Sequence, residues 1–156
     1  RSRGLGDVYK RQKLSGLVRK TLKPSQVRYE GMQGGVDVEQ AELDRLGVSY
    51  AAAKENELDA EGAISWIREN GIKHIALHLD CDVMDPHDFY ATYFNNPALG
   101  PIPYNAATGH MKRASVWDFI EKISKETDLV GLTIAEYMPW SAMQMRELMK
   151  RTKIFG

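Results

Sequence analysis

The chain has 156 residues with 21 basic and 21 acidic side chains, so its formal net charge at neutral pH is zero. Hydrophobic residues make up 43% of the sequence and charged residues 27%, which is typical of one folded soluble domain and excludes an intrinsically disordered chain. No apolar run approaches the roughly 20 residues that cross a bilayer. Lys and Arg are scattered along the chain, so neither a membrane nor a nucleic acid is an expected partner.

The start of the sequence is unusual, because it opens with Arg1 rather than Met. Residues 1–12 (RSRGLGDVYKRQ) have neither helical nor strand periodicity, and they resemble translated adapter sequence found at the ends of assembled reads. We therefore expect residues 1–12 to be a non-native leader; the alternative is a genuine basic N-terminal arm. Residues 13–156 then form the C-terminal part of a single domain. The single cysteine, Cys81, excludes an internal disulfide and favours a reducing, cytoplasmic location.

From residue 14 onward, short apolar runs alternate with amphipathic ones. The patterns predict strands at 26–31, 48–52, 74–80 and 129–135, and helices at 37–46, 57–70, 115–127 and 141–154. Ser141 is the expected N-cap of the last helix. The third and fourth strands are apolar on both faces, which predicts an α/β fold with a mainly parallel sheet between two helix layers.

Both of these doubly apolar strands are followed by acidic residues. The third strand ends at Asp80 and continues into Cys81 and Asp82, and Glu136 follows the fourth. Residues two apart in extended backbone point to the same side, so Asp80 and Asp82 are expected to converge. If the intervening helix is a crossover, Glu136 reaches the same edge of the sheet. Gathered carboxylates need a cation, and oxygen ligands favour Mg²⁺ or Mn²⁺.

Two segments here resemble a known family. Residues 75–86 (IALHLDCDVMDP) resemble the S-F-D-x-D-x-x-D-P signature of arginases and agmatinases, and the matching residues are Asp80, Asp82, Asp85 and Pro86. Residues 131–139 (GLTIAEYMP) resemble the family's D-x-V-E-x-N-P motif, and residues 109–112 (GHMK) loosely resemble its G-G-L-T segment. The resemblance spans roughly residues 26–155. His78 stands where the motif has serine, and Met138 stands where it has asparagine.

The resemblance implies an arginase-like fold, truncated at its N-terminus, and a hydrolase of linear amidine or guanidino C–N bonds. It implies that Asp80 and Asp82 bind a binuclear manganese centre of two ions, and that Glu136 binds the guanidinium-type substrate. Arginine, agmatine, another guanidino acid and formiminoglutamate all remain open as substrates. The family's other metal-binding motifs, G-G-D-H and D-A-H-x-D, are absent from this sequence, so we expect the chain alone to be inactive. Family members are usually trimers or hexamers, which implies a homo-oligomer.

Several other residues invite a functional interpretation. His78 shares a face with Asp80 and is interpreted as a satisfied core histidine, with metal or second-shell contact as the alternative. His87 and His110 lie in or beside the long connection 83–114, which holds four of the six prolines, and either could reach the pocket. Asp85 precedes a proline and is expected to shape the turn. Cys81 is expected to be a small buried hydrophobe.

Two other functions compete with the hydrolase. A haloacid-dehalogenase-like phosphatase also places a D-x-D motif at the end of a strand, and would use Asp80 as its nucleophile. Such enzymes also need a downstream lysine and an adjacent pair of acids, and no two acidic residues are adjacent after Asp85. The second alternative is a non-catalytic subunit in which the aspartates hold a structural metal.

Overall fold

In the computed structural model the described residues are 16–32, 37–52, 57–90, 96, 98 and 109–152. The predicted leader, residues 1–12, lies outside them. The strands are β1 (Arg28–Met32), β2 (Ser49–Ala52), β3 (His74–Asp80) and β4 (Asp128–Ala135). The helices are α1 (Asp37–Leu46), α2 (Ala60–Glu69), α3 (Arg113–Glu126) and α4 (Ala142–Arg151). Within the described ranges, each predicted strand and helix is therefore present.

Helix α2 shows how local chemistry sets an element's bounds. The side chain of Asp59 accepts a hydrogen bond from the backbone N–H of Gly62 at 2.9 Å, so Asp59 is the N-cap and the helix begins three residues later than the pattern 57–70 predicts. Ala63, Ile64 and Ile67 lie on one face and are buried. The helix gives way to Gly71, whose φ of +60° suits a residue without a Cβ.

Ser141 occupies the predicted N-cap position of the last helix, but it does not make the hydrogen bond expected of a cap. Residues Pro139–Ser141 form a 3-10 turn, and the side chain of Ser141 makes no capping hydrogen bond to α4, which begins at Ala142. The fixed φ of Pro139 suits the first position of such a turn. Helix α4 then buries Met145 and Leu148 against the core.

The described strands form two parallel two-stranded sheets, β1–β2 and β3–β4. In the second sheet His74 lies opposite Asp128, His78 opposite Thr133 and Asp80 opposite Ala135. A parallel pair needs a crossover connection, and α3 lies between β3 and β4 in the chain. The prediction that these two strands are parallel neighbours is confirmed.

The two faces of the β3–β4 sheet differ in exposure. On the inner face Leu79 is buried and Ile75 and Leu77 pack against the core formed with α2 and α3. On the outer face of β3, His74, Ala76 and His78 are exposed. The sequence predicted burial on both faces, but the helices that contribute to this core lie on one side, and no described residue buries the other. Among the described residues, no helix is long and apolar enough to cross a membrane.

The core extends from the sheet to the segment that follows β3. Phe89 and Trp117 are each 1% exposed, and their rings meet edge to face with centroids 5.4 Å apart. Met84 and Met111 are also buried and form a parallel bridge between the two ends of the long connection. The segment that follows β3 is therefore anchored in the apolar core.

Candidate metal and substrate site

The aspartates that follow the apolar run of β3 are brought together by a turn. Asp80 is the last residue of the strand, and Cys81–Val83 form a 3-10 turn. The backbone N–H of Asp82 donates to Oδ1 of Asp80 across 3.3 Å. Asp80 and Asp82 are therefore neighbours, as the sequence predicted. The predicted reason is wrong, however, because β3 ends at Asp80 and the alternation of side chains along a strand does not extend to Asp82. Cys81 is completely buried, as expected.

The electrostatics of this turn show an excess of negative charge. Partial burial raises the pKa of Asp82 above its ordinary value, and the neighbouring carboxylates of Asp80 and Glu136 raise it further. Burial and the same three acidic groups raise the pKa of the Cys81 thiol to about 12, so this thiol stays protonated and unreactive near neutral pH. A cation bound among the carboxylates would relieve this repulsion.

Glu136 directly follows β4 at the same edge of the sheet. Its neighbour Ala135 lies opposite Asp80 in the register, so the chain places Glu136 beside the aspartates. Its φ is +55°, the left-handed region that is costly for a residue with a Cβ. Glu136 is exposed. The end of β4 therefore positions the exposed carboxylate of Glu136 beside the half-buried Asp80 and Asp82. The left-handed backbone of Glu136 is an unusual conformation of the kind that is often found at functional sites.

The returning end of the long connection packs against the aspartate turn. The backbone N–H of Gly109 donates to the carbonyl of Asp82 at 3.0 Å, and that of Met111 donates to the carbonyl of Val83 at 3.2 Å. A Cβ on Gly109 would lie 2.0 Å from the carbonyl oxygen of Val83, so only glycine fits this contact. The sequence hinted at this contact only through the loose G-G-L-T resemblance of residues 109–112.

Asp85 shapes the turn after the aspartates, as predicted. Its Oδ1 accepts from the backbone N–H of His87 at 2.9 Å, and its Oδ2 accepts from Nζ of Lys112 at 2.7 Å. Burial opposes the ionisation of Asp85, but these hydrogen bonds outweigh it and lower its pKa to about 2. Both oxygens already have protein partners, which leaves Asp85 outside the set of candidate metal ligands.

The histidines occupy different positions. His78 is exposed on the outer face of β3, and its Nδ1 lies 2.7 Å from Oγ1 of Thr133. Its ring is thus satisfied, as the sequence interpretation required, but it is not in the core. The ring Nδ1 of His87 lies 3.1 Å from Oδ1 of Asp85, and the ring is 76% exposed. His110 is exposed beside Gly109.

The chemistry of the donor set fits a hard divalent cation. Asp80, Asp82 and Glu136 supply only carboxylate oxygens, which suit Mg²⁺ and Mn²⁺, and their mutual effect on the pKa of Asp82 shows a deficit of positive charge. The described residues contain no group of three or more His, Cys, Asp or Glu side chains arranged to hold an ion together. Asp80 and Asp82 could therefore contribute to a metal site, but the described part of the chain does not enclose one.

No family model matches the chain, and no curated protein matches it. Several solved structures, in contrast, are similar to this chain. Arginase from Entamoeba histolytica, in complex with L-ornithine, is 18% identical with a TM-score of 0.64 and covers 93% of this chain and 48% of its own length. Helicobacter pylori arginase is 15% identical with a TM-score of 0.66 and covers 97% of this chain and 52% of its own.

Proclavaminate amidino hydrolase from Streptomyces clavuligerus is also similar, with a TM-score of 0.58 and 18% identity over 89% of this chain and 46% of its own. At such low sequence identity the structural similarity shows the fold alone. It confirms the arginase-like α/β fold with a mainly parallel sheet that the sequence predicted. The chain spans about half the length of the solved structures that it matches.

Proposed function

We propose that this chain, which has the arginase fold, belongs to a metal-dependent hydrolase of linear amidine or guanidino C–N bonds. One observation carries the proposal: the carboxylates of Asp80, Asp82 and Glu136 gather at the carboxyl edge of the β3–β4 sheet. Ligands of open parallel α/β sheets bind beyond this edge. The resemblance of residues 75–86 to the arginase signature supports the same assignment, which is why the hydrolase is preferred to the phosphatase alternative.

In this proposal Asp80 and Asp82 hold the metal, with Mn²⁺, two ions per intact site, as the expected cofactor. When bound, the metal supplies the positive charge that lets a water molecule ionise near neutral pH. Burial of the aspartate turn and the proximity of the two carboxylates disfavour full ionisation without a cation. The same features therefore favour binding of a divalent ion.

Glu136 is proposed to bind the substrate. Its carboxylate is exposed at the edge of the sheet, where it can accept charge-assisted hydrogen bonds from the planar N–H groups of a guanidinium or formimino group. The left-handed backbone at Glu136 fixes the direction in which the side chain leaves the strand. Holding the amidine carbon in one orientation relative to the attacking water is its proposed contribution to the rate.

The reaction adds water across one C–N bond. A guanidino compound yields urea and an amine, and a formimino compound yields formamide and an amine. Arginine, agmatine, another guanidino acid and formiminoglutamate are the candidate substrates, and a homo-oligomer, trimeric or hexameric, is the proposed assembly. Because the G-G-D-H and D-A-H-x-D motifs are absent from these 156 residues, we expect the chain alone to turn over none of these compounds.

The test uses the protein expressed from the complete reading frame that encodes this chain. Release of urea, formamide and amine is measured with each candidate substrate, with added Mn²⁺ and after chelation. We expect turnover that chelation abolishes, and a loss of about 100-fold or more in kcat/KM for Asp80→Asn and Glu136→Gln.

Asp128→Asn is the matched control for these variants. It removes a carboxylate from the opposite end of the same sheet, where Asp128 pairs with His74 on the surface. Its activity should match that of the unmodified protein. Absence of turnover of every candidate amidine, with Mn²⁺ bound, would overturn the proposal.

A further inference from the structure

Backbone hydrogen bonds join the aspartate turn to the returning end of the long connection. The N–H of Gly109 donates to the carbonyl oxygen of Asp82 at 3.0 Å. The N–H of Met111 donates to the carbonyl oxygen of Val83 at 3.2 Å, and the carbonyl oxygen of Met111 accepts from the N–H of Asp85 at 2.9 Å. These three bonds form a clip that includes one of the two candidate aspartates.

A side-chain ion pair lies at the end of this clip. Nζ of Lys112, the residue after Met111, donates to Oδ2 of Asp85 at 2.7 Å. The other carboxylate oxygen, Oδ1, accepts from the backbone N–H of His87 at 2.9 Å and lies 3.1 Å from its ring Nδ1. Lys112 and Asp85 are 27 residues apart in the sequence, so their ion pair opposes separation of the two ends of the long connection.

The ion pair and the apolar core hold the clip from different sides. Met84 and Met111 are each 1% exposed, and they join the two ends of the connection on the side of the core. The side chains of Asp85 and Lys112 are 22% and 58% exposed, so their contact lies on the solvent side. Water competes there with the backbone hydrogen bonds of the clip. The ion pair therefore stabilises the clip on the side that the core does not protect.

We propose that Lys112 is a positioning residue for the candidate site, and that it holds the aspartate turn in place through its ion pair with Asp85. The inference rests on the proposed function, in which Asp82 takes part in the reaction. Small displacements of such groups lower the rate, because catalysis needs them in one geometry. Residues 109–112 resemble a segment that ends in threonine, which carries no charge, so the motif itself does not supply this ion pair.

A matched control lies within α3. Nζ of Lys125 donates to Oε1 of Glu121 at 2.6 Å, and the two side chains are 62% and 26% exposed. The two ion pairs are therefore nearly equal in length and exposure, but the control pair lies within one helix and joins no part of the clip. Lys112→Gln and Lys125→Gln each remove one exposed ion pair, and they differ in its position.

The first test measures amide hydrogen exchange in the protein expressed from the complete reading frame. Peptides that contain Gly109 and Met111 report opening of the clip, because the backbone N–H groups of these residues are donors in it. We expect exchange there to be about 3-fold or more faster in Lys112→Gln and unchanged in Lys125→Gln. Lys112→Arg keeps the charge and should restore slow exchange. Unchanged exchange in Lys112→Gln would overturn the inference.

A double-mutant cycle tests whether Lys112 acts through Asp85. Asp85→Asn alone should speed exchange of the clip about as much as Lys112→Gln does. In the Asp85→Asn background, Lys112→Gln should add less than about 1.5-fold, because the lysine has already lost its charged partner. Effects of the two substitutions that multiply independently would show that the lysine acts elsewhere, and this result would also overturn the inference.

Steady-state kinetics of the complete protein give a second readout. The substrate is proposed to bind Glu136 at the end of β4, which is not part of the clip. Lys112→Gln should therefore lower kcat about 3-fold or more and change KM less than about 1.5-fold, whereas Lys125→Gln should change neither. Equal losses of kcat in the two variants would mean that removal of an ion pair acts through overall stability, which would contradict a positioning role.

Failure of this inference is distinguishable from failure of the proposed function. Amidine turnover tests the hydrolase, whereas hydrogen exchange tests the clip without substrate or metal. A protein that hydrolyses amidines while Lys112→Gln leaves exchange at Gly109 unchanged retains the first proposal and loses the second. In a protein without amidine turnover the proposed function fails, and hydrogen exchange alone decides whether Lys112 holds the turn.

Discussion

The backbone N–H of Gly109 donates a hydrogen bond to the carbonyl oxygen of Asp82, with 3.0 Å between the two atoms. The two residues are separated by the long connection, so this bond closes its ends over the aspartate turn. The contact depends on the absence of a side chain, since a Cβ on Gly109 would lie 2.3 Å from the same carbonyl oxygen. The position of Asp82 is therefore tied to a glycine that carries no chemistry of its own.

Gly109→Ala should destabilise the chain and displace the aspartate turn. The added methyl group would lie 2.0 Å from the carbonyl oxygen of Val83, which is backbone and cannot rotate away. We expect a loss of about 2 kcal/mol in the free energy of unfolding, measured by urea denaturation followed by circular dichroism.

Gly131→Ala is the control for this substitution. The nearest atom to a Cβ at Gly131 is the Cβ of Ala76 at 3.8 Å, an ordinary contact in the same sheet. Its stability should change by less than about 1 kcal/mol, with a gain favoured because alanine restricts the unfolded chain. Equal losses in the two variants would contradict the close approach at Gly109.

Asp85 makes stability depend on acid pH. Its folded-state pKa of about 2 is below the ordinary value of 3.8, so its contribution is present above pH 3.8 and is lost as the pH falls toward 2. Asp85→Asn keeps an oxygen for the backbone N–H of His87 but loses the ionic contact with Lys112. We expect it to cost about 1 kcal/mol at pH 7, because the exposed lysine is screened by solvent.

Urea denaturation of both proteins between pH 7 and pH 2 checks this expectation. The two unfolding free energies should converge as the pH falls toward 2, where Asp85 itself becomes protonated in the folded protein. In a Lys112→Gln background the Asp85→Asn substitution should cost less at pH 7. An undiminished cost in that background would mean that the ion pair does not stabilise the fold.

The folded chain should be less stable with glutamate at position 136 than with glycine there. Its φ of +55° costs about 1 kcal/mol for a residue with a Cβ. Glu136→Gly relieves this strain and removes a carboxylate, whereas Glu136→Gln removes the charge alone. Thermal unfolding of the metal-free chain should show the glycine variant as the more stable of the two, and equal melting temperatures would argue against strain.

Asp88 should stabilise the start of α3. The N-cap residue Lys112 provides no side-chain hydrogen bond to the helix, and Oδ2 of Asp88 instead accepts from the backbone N–H of Arg113 at 2.6 Å. Asp88→Ala should cost about 1 kcal/mol in the free energy of unfolding. Asp88→Asn, which keeps an acceptor oxygen, should cost less than half of this.

The secondary structure was largely predictable because it follows from local patterns. The apolar run of β3 predicted its bounds without error, and Gly47 and Gly71 marked the ends of α1 and α2. The errors lay at helix starts. Asp59 and Ser141 are both residues that favour N-caps, but only Asp59 makes the capping bond, because Pro139 commits the other segment to a 3-10 turn first.

The sequence predicted which residues lie at the candidate site, but it did not predict the backbone geometry that brings them together. The sequence predicted that Asp80, Asp82 and Glu136 lie together, because neighbouring parallel strands end at one edge of the sheet. It did not predict that a 3-10 turn brings Asp82 to Asp80, nor that Glu136 adopts a left-handed backbone. The roles of the three residues in metal and substrate binding remain predictions.

The sequence by itself determined the strands, the helices, the parallel pairing of β3 with β4 and the acidic edge, because periodicity and chain order encode them locally. Only the tertiary structure decided which face of β3 is covered, how Gly109 fits against the aspartate turn, and that His78 meets Thr133 on an open surface. Those features depend on contacts between residues far apart in the chain, where distances of a few tenths of an ångström decide whether a side chain fits.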